Sequence, residues 1–282
     1  MPTPAQLQQI IDNALAEDFA SDDVTTQALI PPRLKGMGYL VVNREGVLAG
    51  IEVAGRVFRS VGPGLKFTAL FDDGSSVCPG DKVASVEGSV AGILRAERVA
   101  LNFLQHLSGI ASETARYVAA VSGTRALITD TRKTVPGLRL LEKYAVRAGG
   151  GHNHRLNLSD GVLIKDNHLM VLRSRGEGLE KVVRKARRKV SQNLKIEIEV
   201  ESRDQAREAL AAGADIILLD NMKPADMREV VEMVQGRALL EASGGITLDN
   251  VRAVAETGVD LISIGALTHS ARALDISLDF CD

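Results

Sequence analysis

Tryptophan is absent from this chain, and aromatic residues make up only 3% of its 282 residues. Cysteine is nearly as scarce: Cys78 and Cys281 stand far apart, in no metal-ligand spacing. The first shortage disfavours a surface that stacks nucleic-acid bases. The second disfavours a disulfide framework or a cysteine-based zinc site and suits a reducing compartment. No apolar run approaches the ~18–20 residues that would span a bilayer. The opening MPTPAQLQQIIDNALAEDF has neither the basic start nor the apolar stretch of a signal peptide. An excess of charge of one sign is missing too, with 34 Lys and Arg against 36 Asp and Glu for a formal net charge of -2. Any electropositive site must therefore be local. The expectation is a cytoplasmic protein that engages neither membrane nor nucleic acid.

What is present is ordinary globular material, 45% hydrophobic and 25% charged, long enough for one large domain or two smaller ones. Apolar runs of strand length recur at Ala126–Thr129, Val162–Ile164, Ile196–Val200, Asp215–Leu219, Ala238–Leu240 and Leu261–Ile264. Helical patterns fill the gaps. Ser202 can cap a helix Arg203–Ala212 that Gly213 stops, Pro224 opens one that runs to Gly236, and Thr247 can cap Leu248–Thr257 before Gly258. This rhythm predicts an incomplete α/β barrel of about six or seven strands, TIM-barrel-like, over residues 111–269. An open doubly wound sheet is the rival, although no G-x-G-x-x-G follows the early strands. Residues 1–110 read differently. A helix near Pro4–Glu17 precedes short strand-like runs at Gly38–Asn43, Val47–Gly50, Lys66–Phe71, Val83–Glu87 and Val90–Leu94, broken by Gly, Pro and Asp turns. That predicts an N-terminal α+β sandwich domain, with the tail 270–282 a candidate to pack on it. A long helix from Arg95 to about Val121 bridges the two parts.

The chemistry is concentrated between Asp130 and His168. Arg132, Lys133, Arg139, Lys143, Arg147, Arg155 and Lys165 fall there, with three of the five histidines (His152, His154, His168) and the run Gly149-Gly150-Gly151. Guanidinium forks suit carboxylates, lysines suit phosphates, and glycines let backbone N–H groups approach an anion. Both flanking strands end in this segment, and strand ends are where barrels place active sites. The implied cavity holds a compact polyanion. Arg139, Lys143 and Arg147 sit at i, i+4, i+8 and read as a structural or peripheral helix face. The histidine spacing matches no common zinc motif.

As it stands, Thr131–His168 contains T-R-K-T-x-P-G, L-E-K-Y-A-V, G-G-G-x-N-H-R and K-D-N-H. It resembles the signature of the quinolinate phosphoribosyltransferases (decarboxylating). The likeness extends in order through AERVALNFLQHLSGIA (Ala96–Ala111), ILLDN (Ile217–Asn221), EASGGI (Glu241–Ile246) and ISIGALTHS (Ile262–Ser270). Only EDFASDDVTT (Glu17–Thr26) departs from the glycine-containing form common in the family.

The resemblance implies transfer of phosphoribosyl from 5-phosphoribosyl 1-pyrophosphate to quinolinate with decarboxylation. The products are nicotinate mononucleotide, pyrophosphate and CO2, in de novo NAD biosynthesis. It implies that Arg132, Lys133, His154 and Arg155 bind the dicarboxylate, and that Lys165 lines the site near where quinolinate and the ribose phosphates meet. Glu199 and Asp220 match the acidic pair beside the ribose and are the candidates for holding Mg2+, directly or indirectly; no organic cofactor is implied. Glu197 and Glu201 share a strand face with Glu199, and the family pattern favours Glu199. Asp215, at the start of its strand, reads as surface. Ser243, Gly244, Gly245 and Gly265 match the site of the 5′-phosphate, where late strand ends offer backbone N–H groups; His269 is a candidate neighbour. Lys133 is the candidate cation beside the departing carboxylate, with Lys133, Glu199 and Asp220 the catalytic set. Arg98, on a polar helix stripe with Asn102 and Gln105, matches an arginine that enters the neighbouring subunit's site. That makes a homodimer the smallest competent unit, with further assembly to a hexamer left open. Two rivals stand beside this reading: a related phosphoribosyltransferase-like protein found with molybdate transport genes, and a nucleic-acid binder using the basic run Arg184–Lys189. The apolar stripe of that run (Leu179, Val182, Val183, Ala186, Val190) marks a solvated helix face instead.

Overall fold

The computed structural model describes residues 2–18 and 20–281. Phe19, in the divergent Glu17–Thr26 loop, lies outside the described residues. The chain begins with α1 (Pro4–Glu17), a 3-10 turn (Ala20–Asp22), α2 (Val24–Leu29), β1 (Lys35–Val42), β2 (Gly46–Val47), α3 (Ile51–Val61), β3 (Lys66–Ala69), β4 (Ser76–Val77) and β5 (Lys82–Ser89). It continues through α4 (Val90–Ala120), β6 (Leu127–Thr129), α5 (Arg139–Ala148), β7 (Val162–Ile164), α6 (Asp166–Arg173), α7 (Leu179–Lys189), β8 (Ile196–Val200) and α8 (Arg203–Ala211). It ends with β9 (Ile216–Asp220), α9 (Pro224–Val234), β10 (Leu239–Ser243), α10 (Val251–Ala255), β11 (Leu261–Ser263), α11 (Ala266–His269) and β12 (Ile276–Phe280). Two compact units interleave: Met1–Ala115, Thr134–Gly150 and Ala266–Asp282 form one, and Arg116–Lys133 with Gly151–Gly265 the other. Among the described residues no helix is long and apolar enough to cross a membrane.

The first unit carries an antiparallel sheet in the order β12-β1-β5-β3 and a short β2-β4 pair. The tail strand β12 pairs along β1, Leu278 opposite Leu40. Helix α1 starts where Thr3 and Gln6 form a reciprocal capping box ahead of Pro4, and it buries Leu7 and Ile11. In α3, Phe58 is fully buried and stacks on Phe67 of β3 at 5.6 Å between ring centroids. The run Val90–Leu94, expected as a strand, is instead the first turn of α4. Burial explains the difference: Ile93, Ala96, Ala100, Leu104, Leu107 and Ile110 are all fully buried, one continuous series at steps of three and four. Of Val47–Gly50, only Val47 lies in a strand.

Helix α5, which the βα rhythm assigns to the barrel, groups with the first unit. Its Glu142 is fully buried, with Oε1 2.9 Å from His106 Nε2 and Oε2 accepting from the Val135 N–H at 3.1 Å. Tyr144 donates its hydroxyl to Asp73 at 2.5 Å; burial first, and then that carboxylate, hold the phenol above its ordinary range. Lys143, expected on a peripheral face, is 3% exposed. Gly149 ends the helix against α4, where an added Cβ would stand 2.3 Å from the Ala111 carbonyl oxygen.

The second unit is a single sheet in the order β6-β11-β10-β9-β8-β7, parallel throughout. His152 adds one parallel bridge to Thr129 on the outer edge of β6. These six strands and one bridge are the incomplete α/β barrel that the rhythm predicts. Strand alternation sorts the side chains. Ile196, Ile198, Val200, Ile217, Leu219, Leu240 and Ala242 are buried on one face with Ala206, Ala209, Met227 and Val230 of the helices. At ~1.5–3 kcal/mol for each large side chain, that face holds the helices on the sheet. The other face carries Glu197, Glu199, Leu218, Asp220, Glu241 and Ser243.

One device recurs at the starts of the strands. Asp215, just before β9, accepts from the Ile196 N–H of β8 at 2.7 Å, and Asp260, just before β11, accepts from the Leu240 N–H of β10 at 2.8 Å. Each carboxylate also meets an arginine, Arg187 at 2.8 Å for Asp215 and Arg125 for Asp260. Burial raises the Asp215 pKa, but the Arg187 and Ile196 contacts outweigh it and hold the group below the usual carboxylate range. Two further cations of the basic helix α7 pair with acids, Arg184 with Glu180 and Lys185 with Glu177. The expected helix Leu248–Thr257 is shorter, Val251–Ala255. Asn250 takes the preceding residues into a turn by accepting from the Thr247 N–H and donating to the Gly245 carbonyl, both at 2.9 Å. Because Asp260 ties two strands through one side chain, Asp260→Ala should lower stability by about 1–3 kcal/mol. A denaturation midpoint equal to that of the parent chain would refute this role.

Candidate active site

A cavity of about 610 Å3 opens where the strands of the second unit end. Each strand delivers its contribution by alternation or by the loop that follows it. Thr131, Arg132 and Lys133 follow β6; Leu163 and Lys165 come from β7 and its end; Glu199 from β8; Leu218, Asp220 and Asn221 from β9; Glu241, Ser243, Gly244 and Gly245 from β10; Ser263 from β11. His154 and Arg155 complete the wall. Ten of the twelve residues expected at the site therefore meet in one cavity: Arg132, Lys133, His154, Arg155, Lys165, Glu199, Asp220, Ser243, Gly244 and Gly245. Arg98 is exposed on α4, in the first unit, and is not among the lining residues. Its expected companion Gln105 is turned to the C-terminal strand, donating to the Ile276 carbonyl at 2.6 Å. Gly265 sits in the turn after β11 without lining the cavity, and His269 is exposed, its Nδ1 2.7 Å from Ser270 Oγ.

The cationic wall is built on a buried acid that the sequence reading used only as a boundary. Asp130 is fully buried; its Oδ1 accepts from the His154 N–H at 2.9 Å and its Oδ2 from the Asn153 amide at 2.6 Å. This fixes His154 and Arg155 beside the loop that carries Arg132. Arg155 donates to the Gly161 carbonyl at 3.1 Å. Burial first, and then the positive charge of Arg132, lower the Arg155 pKa, while Glu197 opposes them. Arg132 Nε is buried without a hydrogen-bond partner, a donor left for something that enters the cavity. Lys165 pairs with Glu199 at 2.5 Å. His168, three residues on, accepts from the Lys165 N–H at 3.0 Å, so it shapes the turn and is no partner of His154.

Below the cations lies a cluster that the sequence reading largely missed. His154 Nε2 is 3.2 Å from Glu197 Oε2 and 3.5 Å from Glu241 Oε1. The nitrogen and oxygen atoms of the three lie within 4.8 Å of one another, a set able to hold a cation or to share protons. Glu241, only 1% exposed, is pushed up to about 7: burial is the main cause and the Glu197 charge the second, partly offset by His154 and by a hydrogen bond from Ser263. Alternation could have found it, since Glu241 stands two residues before Ser243 on the same strand face.

The glycine loop is equally specific. Gly244 and Gly245 adopt φ of 87° and 62°, and a Cβ on Gly244 would stand 2.4 Å from Asn221 Oδ1. Asn221 itself has φ 54°, donates its backbone N–H to the Ser243 carbonyl at 2.9 Å, and donates its side-chain amide to Asp220 at 2.9 Å. The ends of β9 and β10 are thus locked together around the loop.

The chain matches the family models for the N-terminal domain of quinolinate phosphoribosyl transferase over residues 23–108 and for its C-terminal domain over residues 110–279. It is 44% identical over 275 residues to the nicotinate-nucleotide pyrophosphorylase [carboxylating] of Mycobacterium leprae, covering 95% of each chain. It is 41% identical over 274 residues to a probable enzyme of the same name from Bacillus subtilis, covering 97% of this chain and 93% of that one. The solved nicotinate-nucleotide pyrophosphorylase of Francisella tularensis superposes with a TM-score of 0.93 at 37% identity, over 100% of this chain and 98% of that one.

Gly244→Ala meets both a left-handed backbone and the Asn221 side chain, and should cost at least about 1–2 kcal/mol. Adding Asn221→Ala should recover the steric part only. A single variant as stable as the parent in thermal unfolding would show that the loop is not held in this form.

Proposed function

The chain belongs to the quinolinate phosphoribosyltransferase family, and on that premise we propose how its cavity works. The enzyme transfers the phosphoribosyl group of 5-phosphoribosyl 1-pyrophosphate to the ring nitrogen of quinolinate. Carbon dioxide is lost, and nicotinate mononucleotide and pyrophosphate result, in de novo NAD biosynthesis. The observation that carries our reading of the site is one cavity with four cations, Arg132, Lys133, Arg155 and Lys165, facing the acids Glu199 and Asp220.

In our reading the cations hold the two carboxylates of quinolinate, with the unpartnered Arg132 Nε a ready donor and His154 in the wall beside them. The arginine forks suit planar carboxylates. As the bond to pyrophosphate breaks, the ribose becomes cationic, and Glu199 and Asp220 provide the negative field that stabilises it. The same two carboxylates are an oxygen donor set that fits Mg2+; Glu199 already spends one oxygen on Lys165, which favours an indirect role for it. Bound with the pyrophosphate, Mg2+ would neutralise the leaving group. The loop Ser243–Gly245 presents backbone to the 5′-phosphate, and Gly265 adds to that site from the next strand end. The new pyridinium nitrogen then stabilises the electron pair left when the carboxylate beside Lys133 departs.

Arg98 is exposed on α4, and in our reading it completes the site of a second copy in a homodimer, with hexamers a further level of assembly. We assign the enzyme to the cytoplasm, which suits two free, exposed cysteines.

The direct test mixes the protein with quinolinate, 5-phosphoribosyl 1-pyrophosphate and Mg2+. Nicotinate mononucleotide should appear together with CO2. Turnover of a different pyridine, with none of quinolinate, would move the protein to the molybdate-associated relatives. Arg132→Ala and Arg155→Ala should each lower kcat/KM for quinolinate more than about tenfold, as loss of a charged hydrogen bond does; near-normal values for both would remove the cationic wall from the mechanism. Arg98→Ala and Lys165→Ala should each be inactive, and mixing them under subunit exchange should restore part of the activity. No recovery despite exchange would count against sharing of Arg98.

A further inference from the structure

The reaction needs a proton that the assignments above do not supply. When carbon dioxide leaves C2 of the pyridinium ring, the bonding electron pair stays on C2, and the product carries a hydrogen there. Most groups lining the cavity are poor sources. The arginines do not give up protons in proteins, Lys165 is committed to Glu199, and Asp220 accepts from Asn221.

Glu241 differs from all of them. It lines the cavity, is 1% exposed, and its two oxygens have unlike surroundings. Oε1 accepts from the Ser263 hydroxyl, which lies 2.8 Å from Thr129 Oγ1, and faces His154 Nε2 at 3.5 Å. Oε2 is buried with no hydrogen-bond partner at all. A carboxylate oxygen without a donor is costly at such a place, whereas a protonated oxygen is a donor waiting for an acceptor. The surroundings favour that state. Glu197 on β8 stands close enough that both acids cannot easily ionise. The flanking strands offer only Leu218, in register on β9, and the neutral Ser263 on β11. His154 accepts the Arg155 N–H on Nδ1 at 2.8 Å, which leaves a ring hydrogen on Nε2, toward the acids.

We propose that Glu241 is the acid that protonates C2 after decarboxylation. This rests on the reading of the cavity as the quinolinate site. The step balances: the C2–carboxylate bond breaks, CO2 leaves, the electron pair on C2 takes the hydrogen of Glu241 Oε2, and Glu241 becomes a carboxylate. Solvent returns the proton when product leaves. The cations Arg132, Lys133, Arg155 and Lys165 and the acids Glu199 and Asp220 line the same cavity. A bound dicarboxylate cancels much of the cationic field, so the acid form of Glu241 is favoured further once substrate is in place.

The test separates the two half-reactions in Glu241→Gln. A single turnover should still release pyrophosphate, while formation of nicotinate mononucleotide and kcat fall at least about 100-fold, the scale of a lost general acid. Quinolinate affinity should change less than about threefold. In the parent enzyme kcat/KM should decline as pH rises through about 7, because the acid form is the active one; Glu241→Gln should lack that decline. Ser263→Ala removes a hydrogen bond that lowers the Glu241 pKa, so it should move the decline to higher pH. That variant decides the matter if Glu241→Gln does not fold. A Glu241→Gln enzyme with normal kcat, or with pyrophosphate and nicotinate mononucleotide lost together, overturns the proposal, as does an unmoved decline in Ser263→Ala. If the parent enzyme itself makes no nicotinate mononucleotide, the family reading of the cavity has failed, and not merely the role of Glu241.

Discussion

The second unit depends on buried acids that stabilise the half-buried and exposed cations gathered above them. Four cations gathered at one end of a sheet would repel, and each would suffer from leaving water. The lowered Arg155 pKa records both effects, and it also records the remedy, since Glu197 is the group that opposes them. Asp130 anchors the loop that carries His154, and Glu197 and Glu241 lie beneath its ring. The cations can then be preassembled, facing inward, before any anion arrives. A site of this kind need not reorganise when substrate binds, which is where electrostatic catalysis gains most.

Strand alternation makes that arrangement compatible with folding. Ile196, Ile198 and Val200 bury against helices while Glu197 and Glu199, between them, face inward. One strand thus serves the core with one set of side chains and the chemistry with the other. The two ends of the sheet are also divided in purpose. At the starts, Asp215 and Asp260 clamp neighbouring strands. At the ends, Gly244, Gly245 and Asn221 hold left-handed backbone that leaves room for a ligand. Asn221, a non-glycine residue at φ 54°, places strain at the end where function needs it, and the clamps at the other end help the unit to tolerate it.

The strands, their order of contribution and most of the cavity are legible in the sequence because each depends on local signals. A period-two run marks β8, a continuous apolar run marks β9, and the glycines mark the loop after β10. The failures have two physical causes: some depend on partners far away in the chain, and others on a neighbouring pattern that overrides the local one. Val90–Leu94 reads as β-prone on its own, and only its phase with Ala96, Ala100 and Leu104 makes it helix. Lys143 reads as solvent-facing from its i, i+4 neighbours, yet it is buried. Asp130 and Glu241 look like strand-end polar residues, and nothing local reveals that each meets a histidine segment elsewhere. The trigger of the Asn250 turn is a side chain that competes with the helix for backbone partners.

His154 shows how such distant partners alter a role. A histidine among arginines and lysines suggests one more cation for an anionic ligand. In the structure one ring nitrogen accepts the Arg155 N–H and the other faces two carboxylates. With Nδ1 accepting, the hydrogen on the other ring nitrogen faces the two carboxylates. Anion recognition then falls to the lysines and to the guanidinium groups, which keep their protons in proteins. The titratable function falls to the acids beneath. Binding and proton transfer are thereby assigned to different layers of one cavity, so tuning the acids need not weaken the grip on the anion.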